Sequence, residues 1–165
     1  MSKMKEYIDA VNEKDEVIEK VAKSEIYSRH LNHRIVHIMI FNGKGELALQ
    51  LRSAKVDFCP GHWSTPVGGR VQSGESYLQA ALRECKEELG VEIPIELDFK
   101  AVYHDPRCMV MFQSVFKAVY NGPFKVDKNV VQRVEFFTFG KIEEMIAAGE
   151  KFHPELLVLL KHYLK

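Results

Sequence analysis

The chain has 165 residues, a length that fits one domain, and is 46% hydrophobic and 28% charged. Its 23 Lys plus Arg balance 23 Asp plus Glu, which excludes a global field that would draw it onto nucleic acid or an anionic membrane. An anionic ligand must therefore be held by a few local cations or a bound metal. The three cysteines, Cys59, Cys85 and Cys108, are odd in number and widely spaced, which argues against a disulfide framework or structural zinc and fits a reducing cytoplasm.

No apolar h-region opens the sequence and no window approaches the ~20 apolar residues of a membrane span. A cytoplasmic single domain over 1–165 is expected. Residues 5–23 read as a hairpin, EYIDAV and EVIEKVA around a polar NEKD turn, forming an extension over 1–30. A short helix follows at SEIYSRHL. Ile35–Phe41 and Leu47–Leu51 read as paired strands around Asn42-Gly43, a strong hairpin dipeptide. Residues 52–74 read as loop because prolines and glycines interrupt them. A helix over 76–89 has Ser76 as N-cap, Gln79 three residues on, and Gly90 as its stop. Strands are expected at Phe99–Tyr103, Val110–Tyr120 and Val134–Phe139, then helices at Lys141–Ala148 and Pro154–Leu164. The fold class is α/β (α+β). The last helix, rich in LLVLL, could be core or the face of a homodimer.

On the 76–89 helix, Leu78, Leu82, Cys85 and Leu89 recur at helical spacing as the expected core stripe, with Ala80 and Ala81 leaving room for approach. Glu84, Glu87 and Glu88 stand at i, i+3 and i+4, roughly 5–6 Å apart. At an effective dielectric near 20, such a pair repels by roughly 3 kcal/mol. A hard divalent cation would turn that repulsion into binding. By itself the helix is equally a solvated acidic face, with Arg83 pairing Glu87.

The segment GRVQSGESYLQAALRECKEELGV, residues 69–91, resembles a complete Nudix box, G-x5-E-x7-R-E-U-x-E-E-x-G-U, at Gly69, Glu75, Arg83, Glu84, Cys85, Glu87, Glu88, Gly90 and Val91. The resemblance implies a mixed sheet between helices and a hydrolase that opens a diphosphate linkage with Mg²⁺, Mn²⁺ being able to substitute. By that resemblance Glu84, Glu87, Glu88 and the carbonyl of Gly68 are metal ligands, and Glu75 and Gly69 support them. Glu84 or Glu87 would be the base, and Arg83 would orient the glutamates. The Gly68-Gly69 backbone has its own reason to be glycine, because a Cβ would obstruct close approach to metal and phosphate.

Beyond the box, LNHRIVHIMIFNGKGELALQLRS and WSTPVGG resemble the branch related to isopentenyl-diphosphate isomerase. That isomerase has a cysteine where this chain has Gly68, and histidines where it has Arg70 and Ile26; His33 is retained. Glycine cannot exchange a proton with an alkene carbon, so the hydrolase reading is preferred. The isomerase and a non-catalytic binding module are the alternatives. The expected partner is a small diphosphate of nucleoside or related organic type, not nucleic acid or membrane.

Arg52 and Arg70 are candidate phosphate ligands, whereas Lys55 reads as solvated. His30, His33 and His37 invite a metal role, but packing or hydrogen bonding is the commoner fate. Trp63 and Phe58 could offer an aromatic face to substrate or serve as core or lid. Tyr103-His104-Asp105-Pro106-Arg107 is placed at the substrate rim, with His104 as a supporting acid. The family often carries an acid before the last strand. Here that place reads Asn129-Val130, with Asp127 the nearest acid.

Overall fold

The computed structural model describes residues 5–164. Strand β3 (His33–Phe41) is the axis of the fold. Its side chains alternate: Val36, Ile38 and Ile40 enter one core, and Met39 enters the other. A strand buried on both faces reads as a continuous apolar run, and HRIVHIMIF has that character. One edge of β3 pairs in parallel with β8 (Val110–Val119), from His33↔Met111 to Phe41↔Val119, and β7 (Glu96–His104) continues antiparallel on the far side of β8.

β4 (Leu47–Arg52) was expected to lie along β3. It meets β3 only at Phe41↔Leu47, then diverges to pair with β9 (Val131–Phe137) and β5 (Trp63–Ser64). The reason is competition for an edge: β3 between Ile35 and Ile38 is taken by β6 (Val67–Arg70). β6 lies within the segment expected to be loop. Gly68 and Gly69 hide it from a propensity reading, yet glycine in a strand commonly marks a site of close approach.

The expected N-terminal hairpin is present as β1 (Tyr7–Val11) and β2 (Val17–Ala22), followed by α1 (Lys23–Ser28). The hairpin is fastened to the rest of the fold. Ser73 N donates to Tyr7 O (2.8 Å), Ser73 Oγ to Asp9 (2.6 Å), and Asp15 receives both Arg34 Nε (2.6 Å) and Tyr77 Oη (2.9 Å).

Helix α2 (Tyr77–Leu89) has the predicted caps: Ser76 Oγ accepts from Gln79 N (3.1 Å), Gln79 accepts from Ser76 N (2.9 Å), and Gly90 is left-handed at φ 65°. Its buried face differs from the expected stripe. Cys85 and Leu89 are buried, but Leu78 and Leu82 are 46% and 40% exposed, and Ala80 and Ala81 take their place. The helical period was right and its phase was wrong. α2 lies so close to β6 that only small side chains fit between them.

The opposite face of the sheet carries α3 (Phe139–Ala147) and α4 (Pro154–Leu160), which bury Ile142, Met145, Leu156, Leu159 and Leu160 against Met39, Leu47 and Leu49. Each such side chain contributes about 1.5–3 kcal/mol of hydrophobic stabilisation. The mixed sheet is thus sandwiched between helices. No helix among the described residues is long and apolar enough to cross a membrane.

Candidate functional site

Arg83 organises the acidic residues of the 69–91 segment. Its Nε and Nη2 grip Glu75 at 2.5 and 3.0 Å, Nη1 reaches Glu84 at 2.8 Å and Glu87 at 3.2 Å, and Nη2 also donates to Arg70 O at 3.0 Å. The expected partner was Glu87. That contact exists, but the Glu87 carboxylate is largely exposed, and the bidentate pair is with Glu75. Burial works against the charge on Arg83, yet Glu75 and Glu84 hold its pKa above the ordinary value. Glu75 moves the other way: burial raises its pKa, but Arg83 and the Gln72 N–H outweigh this and hold it low.

Glu84 and Glu88 differ in kind from Glu75. Burial, then the charge of neighbouring glutamates, pushes both above the ordinary carboxylate range; Arg83 opposes this at Glu84, and a 3.1 Å hydrogen bond from Gly68 N opposes it at Glu88. Two adjacent carboxylates that resist ionising together call for a cation. A Cβ built on Gly69 would collide with the Glu84 carboxylate, so the strand can lie on that side chain only as glycine. The donor set is all oxygen, which suits a hard divalent ion. Among the described residues, no three His, Cys, Asp or Glu side chains are gathered into a ready metal cage.

A cleft of about 590 Å³ opens beside this helix, and Gly68, Gly69 and Glu88 line one wall. Arg52 and Arg70 also line it, as expected. Arg70 stacks its guanidinium 4.8 Å over Tyr27, hydrogen-bonds the Tyr27 hydroxyl, and leaves Nε without a partner. Burial lowers its pKa, and among the described residues it forms no ion pair with a carboxylate. A half-buried guanidinium in that condition favours an anion beside it. At the rim, Arg107 is latched by both nitrogens of its fork to Asp105 (2.8 Å each) and lies over Tyr27 at 5.2 Å and Phe58 at 5.8 Å.

Several expectations divide here. Phe58 is half exposed on the cleft, whereas Trp63 is buried edge-on against Phe137 in the core. His104 is exposed and lies outside the cleft; Asp105 and Arg107 are the rim residues of that turn. Asp127 caps its own turn by accepting from Asn129 N at 3.0 Å. His30 is exposed. His33 is fully buried and donates Nδ1–H to Leu31 O at 2.9 Å, and burial lowers its pKa. That leaves it a neutral core residue.

The far wall was not expected. His37 from β3, Gln113 from β8, and His153 and Glu155 at the start of α4 converge there, with Gln113 Nε2 2.5 Å from Glu155 Oε1. An acid in the first turn after Pro154 reads as an ordinary helix-start residue. The available signal was Gln113 inside VMFQSVFKAV, a polar side chain at an inward position of an apolar strand.

A family model described as the NUDIX domain matches residues 31–160. The uncharacterized Nudix hydrolase YfcD of Escherichia coli is 33% identical over 161 residues, 97% of this chain and 87% of that protein. The crystal structure of DR0079 from Deinococcus radiodurans superposes with a TM-score of 0.83 at 28% identity, covering 97% of this chain and 100% of that one. The NUDIX domain of Shewanella oneidensis NrtR, solved with ADP ribose, shares the fold at a TM-score of 0.61 and 18% identity, covering 86% and 96% of the respective chains.

Proposed function

The chain belongs to the Nudix hydrolases, enzymes that act on phosphorus-containing anhydrides, and from that premise we propose that it cleaves the diphosphate linkage of a nucleoside diphosphate derivative or a closely related organic diphosphate, with Mg²⁺ bound and Mn²⁺ able to replace it. The observation that carries this reading is the pair Glu84 and Glu88, raised by burial and mutual repulsion beside a glycine backbone that admits no Cβ. In this assignment Glu84, Glu88 and the Gly68 carbonyl hold the ion. The more exposed Glu87 reaches it through water or substrate. Glu75 and Arg83 keep the glutamates in register. When bound, the ion neutralises charge developing on the phosphates and activates water. Arg70 and Arg52 take the remaining phosphate oxygens, and the half-exposed Phe58 offers an aromatic face to the organic group. The neighbouring NrtR domain's ADP ribose supports a ligand of this size and chemistry. We place residues 1–165 in one domain, because the hairpin fastens to both Ser73 and Tyr77.

Isomerase chemistry is disfavoured by position 68. A Cβ there would stand 3.0 Å from His37 Nδ1 and 3.1 Å from Thr65 Oγ1, so a cysteine would displace the pair behind it. The test is incubation with Mg²⁺ or Mn²⁺ and a panel of nucleoside di- and triphosphates, nucleotide sugars including ADP-ribose, dinucleotide polyphosphates and isopentenyl diphosphate. Phosphate, pyrophosphate or nucleoside monophosphate release that falls about 10³-fold in Glu88→Gln is expected. No release across the panel would transfer the assignment to a binding module, and double-bond migration without release would transfer it to an isomerase.

A further inference from the structure

The carboxylates bordering the cleft are not equivalent. Glu88 stands in the pair assigned to the ion. Asp105 is gripped by the Arg107 fork, and Asp57 is exposed. Glu155 is the exception: its side chain is 15% exposed, and among the described residues it has no Lys or Arg partner. Its neighbours are His37, Gln113 and His153. Thr65 Oγ donates to Val67 O (3.1 Å), so it accepts from His37 Nδ1–H (2.9 Å). His37 Nε2 then stands 3.5 Å from Glu155 Oε1. The Gln113 amide, 3.4 Å from that nitrogen, bridges it to Glu155 Oε1 at 2.5 Å. On the other side, Glu155 N donates to His153 Nδ1 (3.2 Å), which puts the His153 proton on Nε2, 3.9 Å from Glu155 Oε2.

A buried carboxylate without a Lys or Arg partner costs several kcal/mol, and apolar side chains would fill the same space at less cost. The neighbouring apolar core is closed by Met39, Leu156 and Leu159 without it. Its chemical character is that of a base. Glu75 is locked by the Arg83 fork, whereas the Gln113 amide and the imidazoles of His37 and His153 hold Glu155 in place on the cleft lining with no guanidinium or ammonium covering it.

We propose that Glu155 is the proton acceptor for the attacking water, set in the lining of the cleft that also holds Glu88 and positioned by Gln113. The proposal rests on the hydrolase reading above. The water oxygen forms a bond to one phosphorus as its proton passes to the Glu155 carboxylate. The bond from that phosphorus to the bridging oxygen breaks, and the second phosphate leaves with the electron pair. The proton then returns to solvent as product departs. The group is ionised at neutral pH: burial raises its pKa, but His37, His153 and Gln113 outweigh this and hold it below the ordinary range. His37 and His153 face it directly, and Arg70, Tyr103, Cys59 and His33 lie within reach of its charge.

The test uses the full chain with Mg²⁺ and whichever panel member the wild type cleaves fastest. Glu155→Gln is expected to lower kcat about 10²–10⁴-fold with KM changed only a few fold, and to abolish the acid limb of the pH–rate profile. Its Mn²⁺ affinity, read by electron paramagnetic resonance, stays that of wild type. A kcat within threefold of wild type overturns the proposal, and so does a parallel loss of Mn²⁺ binding, which would make Glu155 a metal ligand. Should Glu155→Gln fail to fold by circular dichroism, Gln113→Met decides. Loss of the amide donor raises the carboxyl pKa, so the acid limb must move to higher pH, and an unmoved limb overturns the proposal. A wild type inactive on the whole panel brings down the hydrolase reading and the base with it, and that result is seen before any substitution is made.

Discussion

The two walls of the cleft are built on opposite plans. The α2 wall draws Glu75, Arg83, Glu84, Glu87 and Glu88 from fourteen consecutive positions, and the Arg83 guanidinium ties three of the carboxylates together. The α4 wall draws His37, Gln113, His153 and Glu155 from three distant strands and helices and uses no arginine or lysine at all among the described residues. Charge pairing over short sequence distance holds a cluster of carboxylates in fixed geometry. Side chains gathered from afar hold a single carboxylate with no arginine or lysine paired to it. The difference separates a wall suited to grip a cation from one suited to accept a proton.

That contrast can be broken most severely at its hub. Arg83→Gln removes the cation shared by Glu75, Glu84 and Glu87, and is expected to cost about 2–3 kcal/mol. This is at the low end for a buried ion pair because about a fifth of the guanidinium is exposed. Chemical denaturation in EDTA measures it, and a loss under 0.5 kcal/mol would mean the acidic wall needs no hub. Gly69→Ala comes next. Its methyl group meets the Glu84 carboxylate, so about 2 kcal/mol of overpacking is expected, with a rate loss near 10²-fold from displacing a metal-side group by a fraction of an ångström. A fully active Gly69→Ala would show that the strand does not rest on Glu84.

The far wall is probed by acid. Burial, against the opposing charge of Glu155, pulls His153 down to about 4, below the usual histidine range near 6.5 in an unfolded chain. Between those values the unfolded chain binds the extra proton. Stability therefore falls as pH drops from about 6.5 to about 4 and levels off below. The residue contributes roughly 1–2 kcal/mol to that decline, allowing for its partial exposure. His153→Asn keeps an acceptor for Glu155 N and should flatten this part of the curve in urea titrations between pH 7.5 and 4.5. A slope identical to wild type would make His153 solvated rather than part of the wall. The smallest effect is at the rim. Phe58→Ala is expected to raise KM about 3–10-fold for substrates with a planar organic group, to leave kcat near its starting value, and to change stability by less than 0.5 kcal/mol. An equal effect on inorganic pyrophosphate would remove Phe58 from substrate recognition.

What could be read along the chain follows the reach of each interaction. The caps of α2 and the N-terminal hairpin are local, and they stand where the sequence put them. The core stripe of α2 was legible in period only. Which side of a helix is buried depends on what it rests upon, and Gly68-Gly69 made that neighbour flat enough for Ala80 and Ala81 to replace Leu78 and Leu82. The β3–β4 divergence is of the same kind: a strong Asn-Gly turn sets two strands adjacent at one residue, but β6 and β9 compete for their edges over the rest.

The amino-acid sequence by itself determined the acidic wall, because residues three and four apart on a helix must be neighbours and an arginine among them must pair. Only the tertiary structure decided the facing wall. Glu155 is 118 residues from His37 and 42 from Gln113, and no periodicity links a β3 histidine, a β8 glutamine and the first turn of α4. The packing of α4 with Met39, Leu47 and Leu49, not the local chemistry of any of the three segments, brings their polar atoms together.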